Sequence, residues 1–155
     1  MLNLLKVFLC SLLPVIEIRG AIILARSYNL DPTISFLVCF IGNLLPVPFI
    51  YFFAQKVLLW GKDKKYIGSF FTYCLQKGKQ LGQKLEEKSK NGIFMALLTF
   101  VAVPLPGTGA WTATLAASIL NLNFKKTLIS TAIGIIIAGL IVNNVFSILI
   151  RLLHL

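Results

Sequence analysis

Of the 155 residues, 57% are hydrophobic and only 13% charged, at a mean hydropathy of +0.86. That balance excludes an ordinary soluble domain, in which about a quarter of the residues are charged, and predicts an integral membrane protein. The formal charge of +10 is no nucleic-acid footprint either, because eight of the fifteen basic residues lie between Lys62 and Lys90, in the one long polar connection, where they set topology.

The chain divides into a first membrane half (1–60), a basic connector (61–92) and a second membrane half (93–155). Residues 1–13 are nearly all apolar apart from Lys6 and too short for a span of about 20 residues. At Pro14-Val15-Ile16-Glu17-Ile18-Arg19-Gly20 the proline removes an amide donor and Gly20 admits turns that other residues resist, so a broken helix is predicted. An apolar arm (21–25) and an interfacial turn (26–32) follow. Residues 33–55 carry no charge and, at 1.5 Å each, cross a core of about 30 Å. This span is expected to kink at Gly42-Asn43-Leu44-Leu45-Pro46-Val47-Pro48, with Lys56, Trp60 and Lys62 at its exit.

The connector places Ile67, Phe70, Phe71, Cys74, Leu81 and Leu85 at helical spacing, flanked by Lys77, Lys84 and Lys88. It reads as an amphipathic helix on an anionic leaflet or on the bundle, or as a solvated link held in the cytoplasm by its lysines. The uncharged run 93–124 is too long for one span and too short for two plus a turn. Two half-helices near 93–103 and 110–122, meeting at Pro104-Leu105-Pro106-Gly107-Thr108-Gly109, resolve this as a re-entrant hairpin. Lys125 and Lys126 restart the chain at the interface, and 127–150 is a last span ended by Arg151 and His154. Cys10, Cys39 and Cys74 are odd in number and read as reduced packing residues. No small-residue cleavage site follows the first apolar stretch, so residue 1 is expected in the mature chain.

The expected fold is all-α: two inverted repeats, each a re-entrant helical hairpin plus one spanning helix, with both termini outside. The alternative is a four-span up-and-down bundle with both termini inside. Either arrangement puts eleven basic residues inside against three outside, so charge does not choose between them. Prolines and glycines at corresponding places in the two halves favour the hairpins.

Three segments carry a resemblance: Pro-Val-Ile-Glu-Ile-Arg-Gly-Ala at 14–21, Gly-Asn-Leu-Leu-Pro-Val-Pro at 42–48 and Val-Pro-Leu-Pro-Gly-Thr-Gly-Ala-Trp-Thr at 103–112. They resemble the putative small multidrug export family of bacterial membrane proteins, over most of the chain outside the lysine-rich connector. The chain is also distantly similar to DedA-like membrane proteins, which implies paired re-entrant hairpins, proton-coupled transport and movement of lipid-linked phosphates. It departs from their pattern at Ile22-Ile23-Leu24-Ala25, where a proline and glycine are expected, and in a second hairpin that carries no arginine.

Intramembrane charges cost about 2.5–3.5 kcal/mol each on insertion scales, which makes Glu17 and Arg19 the candidate proton-coupling and transport residues. On a helix an i, i+2 pair does not face one another; in an extended tip the two share a side. A desolvated Glu17 holds a proton and releases it opposite Arg19 or on exposure; the competing reading is a permanent ion pair pinning the tip. Gly107, Thr108 and Gly109 either offer amides and a hydroxyl to an anion at a half-helix start or form only a tight turn. Pro14, Gly20, Asn43, Pro46, Pro48, Pro104, Pro106 and Trp111 complete the candidate hairpin-tip and substrate-path residues, Trp111 as a gate or an interfacial anchor. Asn143 and Asn144 are expected to hydrogen-bond across helices, and His154 to be incidental. With no metal-ligand cluster, catalytic triad or nucleotide loop, neither an enzyme nor a cofactor is expected. The predicted protein is a multi-pass transporter of the bacterial cytoplasmic (inner) membrane. Its expected partners are the bilayer, protons, a small amphipathic or lipid-phosphate substrate and a second copy of itself. A non-transporting membrane scaffold or lipid-interacting protein, its lysine-rich helix recruiting a partner or lipid, is the alternative.

Overall fold

The computed structural model describes residues 1–64, 68–88, 92–105 and 107–152. The expectations on Ile67, Lys90, Pro106 and His154 fall outside these residues, as do those on the side chains of Cys74, Leu81, Lys84, Leu85, Lys88 and Arg151. The described residues are helical throughout, joined by short turns: α1 (Leu2–Leu12), α2 (Glu17–Ser27), α3 (Pro32–Leu44), α4 (Pro46–Lys62), α5 (Gly68–Lys88), α6 (Gly92–Ala102), α7 (Ala110–Ile119) and α8 (Phe124–Leu152).

Two stretches are long and apolar enough to cross a membrane, Pro32–Lys62 and Phe124–Ile148. The first is α3 and α4 in series, interrupted at Leu45 where Pro46 and Pro48 cannot donate to the preceding turn, so the expected kink is present. It extends past the expected end at Gln55 to Lys62, where the Lys64 ammonium lies 4.3 Å from the centre of the exposed Trp60 ring. Four shorter helices form two pairs, α1 with α2 and α6 with α7, each broken where proline interrupts the apolar run.

Polarity is distributed as lipid requires. Phe49, Phe53, Val145 and Ile148 are exposed, while Ser11, Asn43, Thr114, Ser118, Thr127, Ser130 and Thr131 are buried. Water would not leave that many large apolar side chains outside; hydrocarbon does. Helices approach through small residues, the usual device where lipid removes the hydrophobic drive for association. The buried face of α7 is Ala110, Ala113, Thr114, Ala117 and Ser118. Gly42 of α3 lies against Ser11 and the Phe8 carbonyl of α1, and Gly134 of α8 against Val101 and the Leu98 carbonyl of α6.

Side-chain contacts tie elements together at two ends. At one, Lys6 lies over the Tyr28 ring, and Arg26 Nη2 donates to Asn143 Oδ1 at 2.7 Å. At the other, the Tyr51 hydroxyl donates to the Leu122 carbonyl, Gln55 Nε2 donates to Asn121 Oδ1 at 3.1 Å, and Ile119 packs on Gly78 of α5. Asn143 thus bonds across helices as expected. Asn144 does not: its amide returns to Leu140 O within α8. Within the connector, Gly68–Lys88 is helical and packs on α4, α6 and α7.

Candidate functional site

Half-helices ending inside a bundle leave amides and carbonyls without partners, and in hydrocarbon each must be met by protein or a wet cavity. The two helix pairs meet tip to tip and meet this demand reciprocally. Arg19, on the first turn of α2, reaches the end of α6. Its Nη1 donates to Leu105 O at 3.0 Å and Thr108 O at 2.9 Å; its Nη2 donates to Val101 O and Val103 O, both at 3.0 Å. A cation on the C-terminal carbonyls of a helix also suits the helix dipole. Trp111, on the first turn of α7, does the converse: its indole N–H donates to Leu12 O, the last carbonyl of α1, at 3.2 Å.

Glu17 sits between them, 5% exposed. Its carboxylate faces the first amides of α7, accepting from Trp111 N–H at 3.3 Å, where a negative charge is favoured. A methyl group on Gly109 would lie 2.0 Å from Glu17 Oε2, so the carboxylate fits only because that position has no side chain. Gly109 has φ +147° and ψ −172°, a region almost closed to other residues. Glu17 itself has φ +50°.

Several sequence expectations change here. Glu17 and Arg19 lie on a helix, not in an extended tip, and each is engaged by the other helix pair. Gly20 is no breaker: α2 runs through it, with Ile16 packed against the space a side chain would fill. The Thr108 hydroxyl is engaged by protein. Its Oγ1 lies 2.8 Å from Leu105 O and 2.9 Å from Val103 O within its own turn, and it accepts from Arg19 Nη2 at 3.2 Å. Gly107, at φ +80° with open space around it, shapes that turn. Trp111 lies half-buried at the tip contact. Pro14 and Pro104 are exposed at their tips.

The structure thus gathers Glu17, Arg19, Thr108, Gly109 and Trp111. Pro48 lines a groove of about 620 Å³ with Phe49, Phe53, Lys56 and Trp111, an apolar approach to this contact. Asn43 is 1% exposed, and neither its Oδ1 nor its Nδ2 has a partner among the described residues; Pro46 is buried beyond it at the kink. Sequence reasoning missed the network of Tyr51, Gln55, Ser118, Asn121 and Leu122. The signal was there, in a tyrosine and a glutamine one helical turn apart inside an apolar run.

Residues 17–141 match the family described as "Putative small multi-drug export protein". The chain belongs to that family. The matched stretch opens on Glu17 and takes in Arg19, the kinked span, the second tip and Trp111, while α1 with the Leu12 carbonyl and the first turn with Pro14 lie before it. No curated protein and no solved structure matches the chain.

Proposed function

We propose that this protein is a proton-coupled secondary transporter of the bacterial cytoplasmic membrane, acting as a homodimer on a small amphipathic or anionic, lipid-linked substrate. The observation that carries the reading is the buried Glu17 carboxylate between the two tips. A carboxylate that caps α7 when ionised, and loses its hold on those amides when protonated, converts proton binding into movement of one tip against the other.

The reading includes an architecture of two inverted repeats, each a re-entrant hairpin plus one span, and residue correspondences support it. At an offset of about 90 residues, the Phe8 carbonyl and Ser11 on Gly42 answer the Leu98 carbonyl and Val101 on Gly134. The turns match in detail. Asn29 and Asn121 have φ of 51° and 54°, Leu30 and Leu122 bond back to Ala25 and Ala117, and Asp31 and Asn123 cap the following helices. In the same register Arg19 answers Trp111 and Glu17 answers Gly109, so the cross-capping runs about a pseudo-two-fold axis. Such an axis in the membrane plane is the setting for alternating access in many secondary transporters. The contacts of Gln55 with Asn121 and of Lys6 with Tyr28 favour helix pairs that enter and return on one side.

A second reading, a non-transporting scaffold, draws on the hydrogen bonds of Arg19, which suit a permanent clamp. One experiment separates the two. Glu17→Gln keeps shape and hydrogen bonding but cannot cycle a charge, so purified variant in liposomes is expected to lose uptake driven by an imposed pH gradient while its melting temperature stays near that of the parent. Normal gradient-driven transport by the variant would remove Glu17 as the proton carrier.

A further inference from the structure

The connector helix α5 does more than bridge the halves. It closes a pocket of about 280 Å³ against α4 and the end of α7. Gln55, Leu59 and Lys62 project into it from successive turns of α4, and Leu75 and Lys79 from successive turns of α5. The wall is set by Gly78, where any side chain would strike the Ile119 carbonyl at 2.0 Å; α5 reaches α7 only because that residue is glycine. Gln55 and Asn121 are tied to each other across the pocket, and Asn121 is held at φ +54° by the turn that begins there.

Two lysines, both exposed, therefore line one concave site from facing helices. Among the described residues neither Lys62 nor Lys79 has a hydrogen-bond or ion-pair partner, and the lining contains no carboxylate. Leu59, Leu75 and Ile119 supply its apolar wall. Lysine acts as a point charge toward phosphate, and basic pockets between membrane helices at the headgroup level hold phosphate-bearing headgroups. We propose that this pocket is a binding site for a phosphate group, held between Lys62 and Lys79 with its ester substituent on the apolar wall, and that occupancy fastens α5 to α4 and α7. The site is separate from the contact of the two tips and does not depend on transport.

The test uses the full chain in detergent and reads affinity by the rise in melting temperature on titration with short-chain phosphatidylglycerol, short-chain phosphatidylcholine or inorganic phosphate. Phosphatidylglycerol is expected to stabilise the parent protein and phosphatidylcholine is not. The double variant Lys62→Gln/Lys79→Gln is expected to bind phosphatidylglycerol about thirtyfold more weakly, for two lysines at headgroup depth. Lys125→Gln/Lys126→Gln removes the same charge outside the pocket and is expected to bind as the parent does. If inorganic phosphate stabilises the parent and competes with the lipid, the natural source is a soluble phosphate; if only the lipid acts, the source is the leaflet. Both results support the site. An equal loss in the two double variants, or a parent that distinguishes none of the three probes, overturns it.

Discussion

The contact of Gly109 with the Glu17 carboxylate sets up the sharpest test of the tip geometry. In Gly109→Ala the new methyl would lie 2.0 Å from Oε2 and 2.5 Å from Cδ, so the carboxylate must leave the amides of α7. The backbone at φ +147° adds a cost of about 1–3 kcal/mol for a residue with a Cβ. Loss of a hydrogen bond to a charged group adds about 1.5–3 kcal/mol, which brings the total to about 2.5–6 kcal/mol. For a chain of this size each kcal/mol lowers the melting temperature by about 2–4 °C, so a fall of at least about 5 °C is expected, measured by intrinsic tryptophan fluorescence in detergent. Gly107→Ala is the control: φ is +80° but nothing lies within 4 Å, leaving only a left-handed penalty of about 1–2 kcal/mol. The double variant Glu17→Ala/Gly109→Ala removes the atoms that clash and should be less destabilised than the sum of its parts by about 1.5–3 kcal/mol. Equal melting temperatures for the two alanine variants, or strict additivity in the double, would refute the carboxylate's place at the start of α7.

Three further outcomes follow from the same coordinates. Arg19→Lys keeps the charge but loses the fork that reaches Val101, Val103, Leu105 and Thr108; a loss of about 3 kcal/mol and faster amide exchange over residues 99–109 are expected. Tyr51→Phe strands the buried Leu122 carbonyl at a cost of about 1–3 kcal/mol, and a lowered melting temperature with no change in helix content by circular dichroism would register it. In a cysteine-free background, single cysteines at Lys125 or Lys126 should be labelled from the same membrane face as one at Lys64, because Gln55 and Tyr51 hold the turn before them at the α4 end; labelling from the opposite face would establish four full spans.

What the sequence made legible was decided by local chemistry. Pro14, Pro104 and Pro32 mark helix boundaries because the missing amide acts on its own neighbours, so α1, α3, α6 and α7 begin and end within a few residues of expectation. Gly20 misled for the opposite reason: glycine permits a turn without requiring one, and here the packing of Ile16 selects helix. The start of α2 at Glu17 was hidden because a glutamate at φ +50° is uncommon and is held there by partners from the other half. Glu17 and Arg19 stood out as charges in an apolar run. Their ligands did not, since the carbonyls and amides they engage lie between 82 and 94 residues away and carry no side-chain signature.

Cross-capping also dictates how the chain must be born. When residues 1–60 leave the ribosome, neither the carbonyls that Arg19 will hold nor the amides that Glu17 will face have been synthesised. Each charge carries an insertion cost of about 2.5–3.5 kcal/mol, against which the first half offers the attraction between Glu17 and Arg19 but none of their hydrogen bonds to residues 101–111. The two tips are therefore expected to enter the apolar layer together, once residues 101–111 have been synthesised. A first half made alone should stay peripheral and fall to quality-control proteolysis, whereas the same half supplied with residues 61–155 as a separate chain should be retained. Membrane insertion is then expected to be a late tertiary step, set by a handshake between segments 82 to 94 residues apart.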